Sequence, residues 1–160
     1  MVKIYLGADH AGFELKEKIK VWLSTQKLAV DDCGNSVLDK NDDYPDFAEK
    51  VALKVIKNNG KGILFCGSAE GVCIAANKVR GIRAVNPHNL VQAERARLHE
   101  DANILCLAGG GTLQPMPGVS LARAKKVITL FLETPFSGAA RHIRRLAKIK
   151  KLEEKYGSVK

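Results

Sequence analysis

Short runs of β-branched and aliphatic residues alternate with longer stretches of helical apolar spacing along the whole chain, and this alternation restricts the fold most. Strands separated by helices cross over to neighbours running in the same direction, so the pattern predicts βαβ units around a parallel sheet. Five strands are expected, near residues 3–7, 29–32, 62–66, 82–85 and 104–107. Helices are expected near 13–26, 44–58, 71–78, 90–100 and 118–132. Pro45 fits the first turn of its helix, where a missing N–H costs nothing. Pro135, Ser137 and Gly138 break the chain before a last helix, and the run Gln114-Pro115-Met116-Pro117-Gly118 marks another loop. In the basic segment 139–160, Ile143, Leu146, Ile149, Leu152 and Tyr156 recur every three or four residues, so this helix carries an apolar stripe that must pack on its own domain or on a second subunit. With no repeat and no long linker, 160 residues read as one α/β domain, 1–160.

Composition then excludes whole classes. At 46% hydrophobic and 27% charged, with 5 prolines, the chain is neither disordered nor low-complexity. No stretch reaches the roughly 18 apolar residues of a membrane span, and the start enters strand-like sequence without a signal-peptide core, which points to the cytoplasm and away from membranes. Cys33, Cys66, Cys73 and Cys106 lie apart with no C-x-x-C pair, so they read as reduced thiols rather than a disulfide framework or a metal site. The net charge is +9, of which the segment 139–160 supplies +6 through eight basic residues against Glu153 and Glu154. That tail lacks the interleaved aromatics of a single-strand-binding surface, so a phosphate on a small molecule is a better partner than nucleic acid.

In open parallel sheets ligands bind beyond the carboxyl ends of the strands. After the first strand comes Gly7-Ala8-Asp9-His10-Ala11-Gly12, where Asp9 and His10 either meet a sugar or, respectively, cap a helix and sit on the surface. The third strand ends in Cys66-Gly67-Ser68-Ala69-Glu70-Gly71 before a helix, whose N-terminal field is expected to lower the Cys66 pKa as a base or nucleophile requires; the alternative is a buried, inert cysteine before a tight turn. Cys33, Cys73 and Cys106 read as packing residues. His99 closes the fourth helix as a general acid or as a charge complementing the helix end, and His88 and His142 have weaker claims. Arg141 and Arg145, one helical turn apart, either close on a phosphate or form a solvated basic face. A nucleotide- or flavin-binding reading lacks the G-x-G-x-x-G fingerprint after the first strand.

Taken together with Tyr44-Pro45-Asp46, Ile74-Ala75-Ala76-Asn77-Lys78, Gly81-Ile82-Arg83-Ala84 and the run from His99 to Asn103, these motifs resemble the type B ribose-5-phosphate isomerases and the related galactose-6-phosphate isomerase subunits. The resemblance implies a three-layer α/β/α sandwich with a five-stranded parallel Rossmann-like sheet, and a homodimer, or a higher oligomer, with its sites at the subunit interface. It implies aldose–ketose isomerisation of a phosphorylated sugar through an enediolate, without metal or organic cofactor. Cys66 would move the proton between C1 and C2, and His99 of the other subunit would open the furanose ring. Asp9 and His10 would contact the sugar, and backbone N–H groups of Gly67, Ser68, Ala69, Glu70 and Gly71 would hold the oxyanion. Arg141 and Arg145 would grip the phosphate.

Three positions depart from the family pattern. Glu100 stands where asparagine is usual, Gly110 within Ala108-Gly109-Gly110-Gly111-Thr112 stands where many members have a phosphate-binding arginine, and Ser68-Ala69 replaces Thr-Gly. Arg80, Arg95 and Arg97 are the candidates to replace the arginine. If position 69 needs positive φ, the alanine methyl strains the loop. The substrate expected first is ribose 5-phosphate; the alternatives are a four- or six-carbon sugar phosphate, or phosphosugar binding without turnover.

Overall fold

The computed structural model describes residues 2–110 and 116–157. Of the sequence features above, Gly111, Thr112, Gln114, Pro115 and the terminal Lys160 lie outside the described residues. Five strands, β1 (Ile4–Ala8), β2 (Val30–Asp32), β3 (Lys61–Cys66), β4 (Ala84–Val85) and β5 (Ile104–Ala108), form one parallel sheet in the order β2-β1-β3-β5-β4. The helices are α1 (Phe13–Thr25), α2 (Tyr44–Asn58), α3 (Glu70–Ala76), α4 (Leu90–Leu98), α5 (Leu121–Glu133) and α6 (Ala140–Tyr156).

Side chains alternate across the sheet and feed two apolar layers. Leu6, Ile63, Phe65, Leu105 and Leu107 pack with α1, α4 and α5 on one face. Tyr5, Leu64, Cys66, Ile104 and Cys106 pack with α2 and α3 on the other. The expected three-layer α/β/α architecture is therefore present. Gly12 sits where a Cβ would lie 2.4 Å from the Phe65 carbonyl carbon, so the absence of a side chain lets the start of α1 lie against the end of β3.

Local hydrogen bonds explain the shifted element ends. β4 starts only at Ala84, where the preceding Arg83 N–H goes to the Asn103 side chain at 2.8 Å, and Asn77 covers its open edge, accepting from the Ala84 N–H at 2.8 Å and donating to the Ala84 carbonyl at 2.9 Å. α4 stops at Leu98 because Asp101 turns to a φ of 45°. α5 begins at Leu121, where the Ser120 hydroxyl accepts from the Arg123 N–H at 3.3 Å. On α1, the fully buried Lys16 donates to Asp32 at 2.8 and 3.0 Å and to Glu17 at 2.7 Å, and Lys20 reaches both carboxylates at 2.7 Å.

The stripe expected on the last helix is not buried within its own chain. Of its predicted stripe, only Leu146 is half-buried; Ile143, Ile149, Leu152 and Tyr156 are exposed. The residue that turns inward is His142, 3% exposed. Farther along, Glu153 accepts from the Gly81 N–H at 3.2 Å, and Glu154 pairs with Arg80 at 3.2 Å. α6 thus rests on the amino-terminal edge of the sheet by its polar side. Among the described residues no helix is long and apolar enough to cross a membrane.

Candidate active site

A parallel sheet gathers all its strand ends along one edge, and here the carboxyl edge carries Asp9 after β1 and Cys66 at the end of β3. Cys66 is 4% exposed, and the N–H groups of Val72, Ala69 and Ser68 face its sulfur. The expected lowering of its pKa does not occur. Burial pushes the thiol up, the neighbouring Asp9 charge pushes the same way, and the three N–H groups only partly offset them. Asp9 is itself buried, and that burial raises its carboxyl above the usual range even though the Gly12 N–H donates to it at 2.9 Å. Asp9 therefore does hold the turn into α1, while its carboxyl stays beside Cys66.

The loop after Cys66 is built for close backbone approach. Gly109 donates to the Cys66 carbonyl at 2.8 Å and Gly110 to the Gly67 carbonyl at 3.1 Å. Ser68 Oγ accepts from the Glu70 N–H at 3.4 Å, Gly71 packs against the Tyr44 ring, and Glu70 is exposed. Ala69 is buried with φ at 73°, so the condition set by its methyl is met and the loop carries about 1–2 kcal/mol of left-handed strain there. Gly110 has φ at 94°, and a Cβ would meet the Gly118 N at 3.0 Å, so this loop excludes an arginine at that position without strain. Of the other thiols, Cys106 is buried and pushed well above the thiol range by burial, and Cys73 is lowered by a hydrogen bond from Cys106.

His10 also lies at this edge, and its partner is a residue that sequence reasoning missed. Asp42 accepts from the His10 backbone N–H at 2.9 Å and approaches its ring Nδ1 at 2.7 Å. Nothing local in the Asp42-Asp43-Tyr44-Pro45 run signals a contact across 32 positions.

The remaining candidates lie elsewhere. His99 follows α4, which runs against the strands, and the turn 99–103 leads into the amino end of β5. That turn is clamped by Arg83, which donates to the Asp101 carboxylate at 2.9 Å, and by Arg97, which donates to it at 2.7 Å. The His99 ring lies 4.4 Å from that of His142. Arg141 Nε donates to His142 Nε2 at 3.1 Å, so the ring proton sits on Nδ1, 2.7 Å from Ser137 Oγ. Burial, His99 and the Arg141 and Arg145 charges all lower the His142 pKa, and Glu100 works against them. His142 is the second residue that was undervalued; its signal was its place within Arg141-His142-x-x-Arg145. His99, Glu100, Arg141, His142 and Arg145 therefore form one cluster at the amino edge, and the six residues of β3 put roughly 16 Å between that edge and Cys66. Arg97 is buried in the clamp and Arg80 is paired with Glu154, so neither reaches Cys66 within the chain, while Arg95 sits exposed in the last turn of α4, near the same edge.

Comparison with known proteins agrees with the fold and gives the family. The family model described as Ribose/Galactose Isomerase matches residues 4–149. A probable ribose-5-phosphate isomerase B of Mycoplasma genitalium is 42% identical over 94% of this chain and 95% of its own length. The ribose-5-phosphate isomerase B of Mycobacterium tuberculosis is 38% identical over 91% of this chain and 86% of its own. Among solved structures, ribose-5-phosphate isomerase B of Clostridium thermocellum superposes with a TM-score of 0.88 at 39% identity, covering 97% of this chain and 99% of that one. The Mycoplasma genitalium enzyme with bound ribulose 5-phosphate gives 0.87 at 41% identity, covering 96% and 97%.

Proposed function

The chain belongs to the ribose/galactose isomerase family, and from that premise we propose that it interconverts ribose 5-phosphate and ribulose 5-phosphate in the cytoplasm, as a homodimer whose sites each draw on both subunits. The observation that carries this reading is the buried Cys66 sulfur at the carboxyl end of β3, faced by three backbone N–H groups and neighboured by Asp9. In the open-chain aldose the Cys66 thiolate takes the C2 proton, the electron pair moves toward the carbonyl oxygen, and the resulting thiol returns the proton to C1. The N–H groups of the loop 67–71 stabilise the oxyanion that appears only along this path. Asp9, whose carboxyl burial raises above its ordinary value, exchanges a proton with the O1 and O2 oxygens as the carbonyl moves between them.

His99, Arg141 and Arg145 lie at the far edge of the same sheet, which supports their serving a second chain. Brought against the carboxyl edge of that chain, His99 of the partner subunit protonates the ring oxygen and the two guanidinium groups grip the phosphate. The exposed apolar residues of α6 support burial against a partner. Glu100 and Gly110, at a position that only glycine fills without strain, support a second reading, a four- or six-carbon sugar phosphate as preferred substrate.

Proton NMR with ribulose 5-phosphate in deuterated water tests both readings. The expected result is ribose 5-phosphate with deuterium at C2, lost in Cys66→Ala while phosphosugar binding persists. Turnover in Cys66→Ala would remove that residue from the mechanism. A faster reaction with a four- or six-carbon sugar phosphate would replace the substrate.

A further inference from the structure

Asp42 is a carboxylate whose side chain is 6% exposed, and a group so buried must find compensating partners. Among the described residues no lysine or arginine pairs with it. One oxygen takes the His10 backbone N–H at 2.9 Å and the ring Nδ1 at 2.7 Å, while the other takes Asn35 Nδ2 at 3.3 Å. The loop that supplies it is itself stitched to the end of β1, where Ala8 donates to the Gly34 carbonyl at 2.8 Å and Asn35 donates to the Ala8 carbonyl at 3.0 Å. The contact is therefore held from both sides.

An ionised carboxylate only accepts, so the hydrogen in the 2.7 Å contact belongs to Nδ1. We infer that Asp42 is a positioning residue of the site: it holds the His10 ring by its Nδ1–H, leaving Nε2 as a fixed acceptor for a sugar hydroxyl. The inference rests on the proposed sugar-phosphate isomerisation. His10 directly follows Asp9, its ring keeps 29% of its surface open, and no hydrogen bond to its Nε2 occurs among the described residues. A carboxylate that fixes an imidazole tautomer through the opposite nitrogen is a recurrent device for aiming a histidine.

Nitrogen-15 NMR of histidine-labelled protein without substrate, well above the ordinary histidine pKa, reads the tautomer directly. The expected pattern is a protonated Nδ1 and an unprotonated Nε2 for His10; the reverse pattern overturns the inference, and this measurement needs no variant to fold. In Asp42→Asn a mixture of tautomers is expected, with KM for ribose 5-phosphate up about tenfold, the loss of one charge-assisted hydrogen bond, and kcat within about threefold. In a His10→Ala background the same change should move KM less than about twofold, because Asp42 acts through His10. An equal effect in both backgrounds would make Asp42 merely structural and overturn the inference. Failure of the unmodified protein to turn over any sugar phosphate would instead strike the proposed function, and the ring pattern would still stand as read.

Discussion

A thiol that burial holds above its usual pKa is mostly protonated near neutrality, so in the proposed mechanism Cys66 is a base only through its small ionised fraction. That fraction grows as pH rises, which fixes the sign: kcat/KM is expected to climb through the alkaline range. The thiolate absorbance lost in Cys66→Ala should titrate above the ordinary thiol value. A midpoint below it would mean that the N–H groups of the loop outweigh burial. The placement of Cys66 and Asp9 together was legible because one ends a strand and the other directly follows one, where sequence alone locates the sheet's edge. Asp42 and His142 were not, because their importance comes from contacts that only the folded chain makes: one across 32 positions, the other against His99 and Ser137. The direction of the Cys66 shift was misread for a related reason, since a helix start is visible in sequence whereas the depth of burial is not.

Among the elements, α1 and β2 are joined by charge as well as by apolar packing. Burial alone would raise the Asp32 carboxyl, but hydrogen bonds from Lys16, Lys20 and the Gly34 N–H outweigh it and hold the group below its ordinary value of 3.8. A carboxyl lowered by folding adds stability that is fully present above the unfolded value and is lost as pH falls through the folded one. The stability gap between the natural chain and Asp32→Asn, read from urea midpoints, should therefore close below about pH 3.8 and stay constant above neutrality. Lys16→Ala, which strips the fully buried partner from this knot, is expected to cost on the order of 3 kcal/mol at neutral pH. The strands and helices were legible to within a few residues because parallel crossovers impose their own period. The stripe on α6 was legible as periodicity, but not which surface it would cover: within its own chain the helix is held through His142 and Glu153.

For the whole molecule, the separation of Cys66 from His99 by the length of the sheet is the feature with most bearing on behaviour, and it lay outside what sequence reasoning could measure. If each site takes one residue from each chain, inactive Cys66→Ala and inactive His99→Asn should rescue one another when unfolded and refolded together. Random pairing leaves one intact site in half of the dimers, so about a quarter of full activity is expected. No recovery would mean that base and acid meet within one chain. A catalyst divided in this way also counts its own copies. Lone chains newly released into dilute solution would then hold every group the chemistry requires and yet leave the sugar pool untouched, so the specific rate should rise with protein concentration until association is complete, with a lag on dilution set by how slowly two chains part.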